Sequence, residues 1–202
     1  MTVYVVRPGD NLFRIAVRHG TTLEEVARLN PHIEDLARIF PGMAVNLPGD
    51  GPVKRENEVG GEIPWFQIAR EELALGVAEI RGDADNPRII EYHATCTLRA
   101  TNDETAWCSS FVNWCVIQAG LKGTNSAAAR SWLPWEGGRA VPAPTLGCIT
   151  VLSRGKPWQG HVGFFVSETD SHVTLLGGNQ SNAVSEAAYA KSRVLSYIVP
   201  RT

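Results

Sequence analysis

Residues 105–121, TAWCSSFVNWCVIQAGL, are the longest stretch of the chain without a charged side chain. The stretch contains serine, asparagine and glutamine, and it is shorter than the about 20 apolar residues that a membrane span needs. It therefore predicts a buried helix over residues 106–119, which Gly120 ends.

The hydrophobic pattern around this helix changes from helical to strand-like along the chain. Two helices are predicted before it, over residues 62–75 and from Asn86-Pro87 to about Thr95, and a shorter one follows over residues 126–132. Runs rich in β-branched residues come last, at residues 148–152, 162–167, 173–176 and 194–199. Helices followed by strands predict an α+β domain in which the helices pack on an antiparallel sheet.

The N-terminal part of the chain has its own pattern. A strand over residues 3–6 and a turn lead into one helix, and Thr22 starts a second helix, with Glu25 three residues on as in a capping box. A closing strand over residues 44–47 completes the order strand, helix, helix, strand. The first helix is predicted to face inward through Leu12, Ile15 and Ala16.

Composition divides the chain at residues 49–62, which contain no aromatic residue and are rich in glycine and acidic side chains. This segment predicts a flexible linker between a small module at residues 1–48 and a larger domain at residues 63–202. Hydrophobic and charged residues make up 44% and 20% of the chain, as in folded globular proteins. A net charge of −2 provides no basic excess, so no nucleic-acid partner is expected.

Cys108 has the sequence setting of a nucleophile. If Thr105 caps the predicted helix, the Cys108 thiol lies in the first turn, where free backbone N–H groups and the helix dipole favour a thiolate. Cys115 lies two turns deeper, too far away for a disulfide. It is predicted to pack in the core, as are Cys96 and Cys148.

A histidine and a carboxamide are brought together by a predicted hairpin. A hairpin centred on Asp170 places His161 opposite Asn179, on the same face of the sheet. Asn179 can then orient the imidazole as a base for the thiol. His172 has the opposite parity and points to the other face unless a bulge changes the register.

No cofactor, metal or membrane-inserted segment is expected. The sequence has no Cys-x-x-Cys or His-Glu-x-x-His motif. A zinc site would therefore need four ligands from unrelated segments.

The N-terminal module resembles the LysM module over its full length, through VYVVRPGDNLFRIAVRHGTTLEEVARLNPHI (3–33) and PGMAVNLP (41–48). LysM modules bind N-acetylglucosamine-containing glycans, chiefly peptidoglycan and chitin. The resemblance implies a shallow groove between Gly9, Asp10, Asn11 and Leu12 on one side and Asn30, Pro31, Ile39 and Phe40 on the other. For Leu12 and Ile39, core packing is an equal alternative, because so small a module must bury most of its large apolar residues.

The C-terminal domain resembles the NlpC-type and CHAP-type cysteine peptidases and amidases, a rearranged branch of the papain-like fold, and most closely a subgroup common in phages. The resemblance lies in WCSSFV (107–112), GCITVL (147–152), GHVGFF (160–165) and LLGGNQ (175–180). It implies that Cys108 is the nucleophile, His161 the general base and acid, and Asn179 the residue that orients the imidazole.

Three further residues are expected to contact the substrate. Trp107 is expected to line the cleft. Ser109 or Gln180 is expected to donate a second hydrogen bond to the oxyanion, beside the backbone N–H of Cys108.

The two resemblances together predict a peptidoglycan hydrolase that cleaves amide bonds in peptide stems or cross-bridges with a Cys-His-Asn triad, targeted by the LysM module. Three alternatives remain open: an N-acetylmuramoyl-L-alanine amidase, a catalytically inactive cell-wall-binding protein, and an acyl or glutamyl transferase that uses the same thiol.

Charged residues interrupt the N-terminal segment, so the apolar core of a signal peptide is not predicted. We expect a monomer that is synthesised in the cytoplasm and reaches the cell wall or periplasm by holin-type release or by injection.

Overall fold

The computed structural model describes residues 2–7, 10, 12, 15, 16, 19, 21–33, 35, 36, 39–48, 63–82 and 84–201. The chain divides into two compact units, residues 1–61 and 62–202. The predicted linker, residues 49–62, lies outside the described residues.

The N-terminal unit contains two antiparallel strands, β1 (Thr2–Val5) and β2 (Ala44–Leu47), and the helix α1 (Leu23–Leu29). The Thr22 hydroxyl accepts a hydrogen bond from the Glu25 backbone N–H at 3.1 Å, which confirms the predicted cap. The predicted first helix is described only in part. Three of its residues are described and buried, as predicted: Leu12, Ile15 and Ala16. They form one hydrophobic cluster with Val26, Val45 and Leu47.

Asn30 connects the end of α1 to β2. Its side chain is fully buried, and its Nδ2 donates to the carbonyl groups of Val26 and Asn46 at 2.7 and 2.8 Å. Its Oδ1 accepts from the Asn46 backbone N–H at 2.7 Å. The side chain that was predicted to contact a glycan is therefore engaged inside the module, and this corrects the prediction for Asn30.

Replacing Asn30 with alanine is expected to destabilise the N-terminal unit by about 2–3 kcal/mol, because buried backbone groups lose their partners. Hydrogen–deuterium exchange of the full chain checks this: amides of α1 and β2 should exchange faster, while those of the C-terminal unit keep their rates. Asn46→Ala is the matched control, since the bond of its side chain to a described residue is a long one, to the Leu29 carbonyl at 3.3 Å. Equal protection of the β2 amides in both variants would contradict the role of the Asn30 side chain in holding α1 and β2 together.

The C-terminal unit is built on a six-stranded antiparallel sheet. In spatial order its strands are β3 (Gly138–Val141), β8 (Val194–Pro200), β4 (Ile149–Ser153), β5 (Gly160–Glu168), β6 (His172–Gln180) and β7 (Ala183–Ala190). The strand pattern of the sequence predicts the four central strands. It does not predict the edge strands β3 and β7, because both contain few of the β-branched residues that indicate a strand.

Three helices accompany this sheet: α2 (Pro64–Ala74), α3 (Pro87–His93) and α4 (Cys108–Gln118). The side chain of Asn86 caps α3 and Pro87 is its first residue, as predicted. The predicted helix over residues 126–132 is a short 3-10 helix, Ala129–Trp132. Within the described residues, no helix has the length and hydrophobicity that a membrane span requires.

The helix α4 is the centre of the unit. It packs against β5 and β6, and α2 and α3 pack against it in turn. Its residues from Cys108 to Val116 are all buried. The apolar stretch that predicted this helix therefore forms the layer between the sheet and the other helices.

A buried ion pair ties α2 to α3. Glu72 accepts two hydrogen bonds from the Arg88 guanidinium, at 2.7 and 2.9 Å, and one from the Tyr92 hydroxyl. The Arg88 guanidinium also lies 4.5 Å from the ring centre of Trp114 in α4. Because a buried carboxylate needs such partners, the cluster fixes both helices on the helix that carries Cys108.

Candidate active site

Cys108 is the first residue of α4 and only 6% exposed. Trp107, not Thr105, occupies the N-cap position and makes no side-chain capping bond. Burial raises the pKa of the Cys108 thiol above its ordinary value, although backbone N–H groups of Val162, Ser109 and Cys108 itself act in the opposite direction. The helix N terminus therefore does not by itself produce a resting thiolate.

The strand β5 brings His161 to this thiol. His161 lies opposite Leu152 of β4 and is 4% exposed. The backbone N–H of the next residue, Val162, favours the Cys108 thiolate and so acts against the rise of its pKa. The predicted base thus lies on the strand residue before Val162, whose backbone acts on the predicted nucleophile.

The imidazole of His161 is neutral in this environment. Burial lowers the pKa of His161 to about 4, and the positive charges of Arg154 and Arg193 contribute in the same direction. The hydrogen bond that His161 donates to Gln180 opposes this shift without cancelling it. With the thiol protonated and the imidazole uncharged, the resting site holds a neutral pair.

Gln180 is the residue that orients His161. The two side chains meet through His161 Nε2 and Gln180 Oε1, 3.0 Å apart. The Gln180 amide nitrogen donates to the carbonyl groups of Leu175 and Ser185, which leaves its oxygen facing the imidazole. An oxygen acceptor needs a proton on Nε2, so Nδ1 is the unprotonated nitrogen that can act as a base.

Asn179, the predicted orienting residue, does not contact His161. Its carboxamide lies beside Trp107, with its oxygen 3.2 Å from the backbone nitrogen and 3.0 Å from the indole nitrogen once the amide is oriented to accept both. The predicted pairing of His161 with Asn179 is therefore wrong, and the position belongs to Gln180.

A bulge in β6 explains this difference. Gly177 lies opposite Ser185 of β7, and the register then shifts, so that Gln180 lies opposite Ala183. The strand therefore holds one extra residue at this point, and Asn179 has a φ of +57°. Since one extra residue reverses the alternation of side chains, Gln180 takes the face that a regular strand would give to Asn179.

Gly178, inside the bulge, is the point where β6 comes closest to α4 in this part of the strand. A Cβ atom at this position would lie 2.4 Å from the Trp107 ring and 2.6 Å from the Phe111 Cβ, so only glycine allows β6 to approach α4 so closely. Two glycines followed by asparagine are a sequence signal for a bulge, because glycine in a strand marks close approach and asparagine tolerates positive φ. That signal was present in GGN at residues 177–179.

Tyr189, on the edge strand β7, completes the site. Its hydroxyl donates to Gln180 Oε1 at 3.0 Å and lies 3.2 Å from His161 Nε2. Its ring centre is 5.2 Å from that of the imidazole. Burial raises the pKa of the Tyr189 hydroxyl, so the group stays protonated and can donate. Sequence reasoning missed it because β7 was not predicted.

The three residues expected to contact substrate have other contacts. Trp107 is fully buried, and Ser109, also buried, donates to the Ser126 carbonyl at 2.7 Å and accepts from the Trp132 indole at 3.0 Å. The amide hydrogens of Gln180 are bonded to backbone carbonyl groups. Trp107 is therefore too buried to line the cleft, and Ser109 and Gln180 have no free side-chain donor for the oxyanion.

His172 lies away from the site. It pairs with Ala190 at the other end of the β6–β7 ladder, is exposed, and contacts the Ser171 hydroxyl at 2.8 Å through Nδ1. The remaining cysteines are buried and free, in agreement with the prediction that they pack in the core: Cys96, Cys115 and Cys148.

The predicted glycan groove is described in part, since Gly9 and Asn11 lie outside the described residues. Leu12 belongs to the core, and Ile39 packs partly buried against it. The Asp10 carboxylate accepts from the Tyr4 hydroxyl at 2.6 Å and from the Arg7 backbone N–H at 2.9 Å, which braces the turn. The exposed apolar residues of the predicted groove are Pro31 and Phe40, the latter 63% exposed.

Comparison with known families agrees with these two units. The model of the LysM domain matches residues 4–48, and the model of the CHAP domain matches residues 100–179. The chain therefore contains a LysM domain followed by a CHAP domain, in an α+β architecture, as the sequence resemblance predicts.

Two curated relatives illustrate the similarity. The endolysin of Bacillus phage PZA is 28% identical over 95 residues, which is 47% of this chain and 37% of that protein. SpoIVD-associated factor A of Bacillus subtilis (strain 168) is 38% identical over 61 residues, which is 30% of this chain and 16% of that protein. The chain thus spans well under half the length of either relative.

Alkylation of Cys108 is expected to follow the thiolate fraction of a buried thiol with a raised pKa. Its rate with iodoacetamide should be low near about pH 7 and rise steadily to above about pH 9. Mass spectrometry of the modified peptide identifies the site, and Cys108→Ala gives the background. A fast rate that is constant from acidic to neutral pH would indicate a thiolate–imidazolium pair and contradict the neutral site.

Proposed function

We propose that the protein is a peptidoglycan hydrolase that cleaves an amide bond of the cell-wall peptide with the thiol of Cys108. The observation that carries this proposal is the contact of His161 Nε2 with Gln180 Oε1, 3.0 Å apart. The next residue of the same strand, Val162, has a backbone N–H that favours the Cys108 thiolate. A thiol, an imidazole and an orienting amide in this order are the parts that cysteine hydrolases use.

The chemistry follows from the neutral resting pair. As the Cys108 sulfur attacks the substrate carbonyl, His161 Nδ1 takes the thiol proton, and the Nε2–H of the imidazolium remains bonded to Gln180 and Tyr189. The imidazolium then gives its proton to the leaving amine. Water, activated by the same nitrogen, hydrolyses the thioester and restores the thiol.

Charge also develops on the carbonyl oxygen of the substrate during attack. The backbone N–H of Cys108 is our candidate donor to this oxyanion, and one such donor typically contributes about 3 kcal/mol. Neither Ser109 nor the Gln180 side chain is available as a second donor, since both are bonded elsewhere.

The LysM domain supplies the second part of the proposal. Binding of glycan strands by this domain would raise the local concentration of peptide stems around the CHAP domain without any new contact in the active site. The similarity to a phage protein named endolysin supports the cell wall as the target. We propose that the protein reaches the cell wall by holin-type release or by injection.

Two variants of adjacent residues test the assignment of the orienting residue. Gln180→Ala is expected to lower kcat by about 100-fold or more, because the imidazole loses the acceptor that fixes its tautomer. Asn179→Gly removes the neighbouring carboxamide but keeps a residue that adopts positive φ, and it should stay within several-fold of the unchanged protein.

Digestion of purified sacculi, followed by mass spectrometry of the products, provides the measurement. Free lactyl-muramic ends would identify an amidase, and cut stems or cross-bridges an endopeptidase. Loss of activity in Asn179→Gly with retention in Gln180→Ala would restore the Cys-His-Asn assignment. Digestion that survives Cys108→Ala would refute cysteine catalysis, and no digestion by any form would leave a binding protein.

A further inference from the structure

Arg193 lies next to the catalytic constellation. It ends the 3-10 turn Lys191–Arg193 before β8, and its guanidinium carbon is 5.1 Å from the ring centre of Tyr189. The hydroxyl of that tyrosine is 3.2 Å from His161 Nε2. The Nε of Arg193 donates to the Ser153 carbonyl at 3.1 Å, which fixes the direction of the side chain.

The backbone of Arg154 adjoins the residue that Arg193 contacts, since Arg193 Nε donates to the Ser153 carbonyl. It follows Ser153, the last residue of β4, and Leu152 of the same strand pairs with His161. The side chain is exposed. Its charge acts on Cys108, His161 and Tyr189, so the guanidinium is within the electrostatic reach of the reacting groups.

These two arginines differ from the neighbouring lysine in having no ion-pair partner among the described residues. Lys191, in the same turn as Arg193, is paired with Glu168 at 2.9 Å. The charged side chains that shift the pKa of His161 are both arginines. The rim of the site is therefore positively charged in a chain whose net charge is −2.

The positive charge of Arg154 favours the Cys108 thiolate, but both arginines oppose the protonation of His161. The imidazolium of His161 must form when the sulfur attacks, and two nearby guanidinium groups destabilise it. A substrate anion seated between the arginines would remove this penalty, and a guanidinium binds a carboxylate through two parallel hydrogen bonds.

We propose that Arg154 and Arg193 form a carboxylate-binding subsite, so that the preferred substrate carries a free carboxylate within a residue or two of the amide that Cys108 attacks. The inference rests on the proposed hydrolysis and defines its substrate class. Stem peptides whose carboxyl group is amidated would be poorer substrates than the same peptides with the free acid.

The test compares two soluble stem peptides that differ only in a carboxylate or a carboxamide beside the cleaved amide. The unchanged protein should prefer the carboxylate by about tenfold or more in kcat/KM, as expected for a hydrogen bond between charged groups. The preference should fall in Arg154→Gln and in Arg193→Gln and approach unity in the double variant, chiefly through KM.

Two matched variants control for charge and folding. Arg139→Gln removes one positive charge from the exposed edge strand β3 and should keep the full preference. Arg154→Lys retains the charge but loses the planar pair of donors, so the preference should fall less than in Arg154→Gln. Tryptophan fluorescence confirms that each variant is folded.

Calorimetry with the same two peptides in a Cys108→Ala background separates binding from turnover. Tighter binding of the carboxylate, lost in the double arginine variant, supports the subsite even if neither peptide is cleaved, an outcome that would refute only the hydrolysis. Equal affinity and equal turnover of the two peptides, or a preference that survives in the double variant, would overturn the subsite.

Discussion

The hydrogen bond between His161 Nε2 and Gln180 Oε1 determines what this site can do. The backbone carbonyl groups of Leu175 and Ser185 hold the amide nitrogen of Gln180, so its oxygen must face the imidazole. That acceptor places the histidine proton on Nε2 and leaves Nδ1 as the base. The direction of a single carboxamide thus fixes the tautomer on which the proposed proton transfer depends.

Burial, more than the helix dipole, sets the charge state of the resting site. It raises the pKa of the Cys108 thiol and lowers that of His161. The charge of Arg154 disfavours the protonated form of His161 and favours the thiolate form of Cys108. An anion bound beside Arg154 would offset the first effect. A site that is uncharged at rest, beside two arginines without an ion-pair partner in the described part of the chain, fits activation by an acidic substrate.

The sequence predicts the fold further than it predicts the site. The strand β2, the caps of α1 and α3, and the position of Cys108 at the start of a buried helix follow from local patterns and were found as predicted. The partner of His161 was missed because parity arguments require regular strands, and β6 holds an extra residue where Gly178 packs closely on Trp107. Tyr189 was missed for a different reason, since it lies on an edge strand that only long-range pairing defines.

The most direct test of this account is the protonation state of His161 in the folded protein. Nitrogen-15 NMR of the histidine side chains, assigned with a His161→Gln variant, reports the proton on each ring nitrogen across a pH titration. The account predicts a neutral ring with the proton on Nε2 that titrates only near pH about 4. An imidazolium at neutral pH, or a neutral ring with the proton on Nδ1, would contradict it.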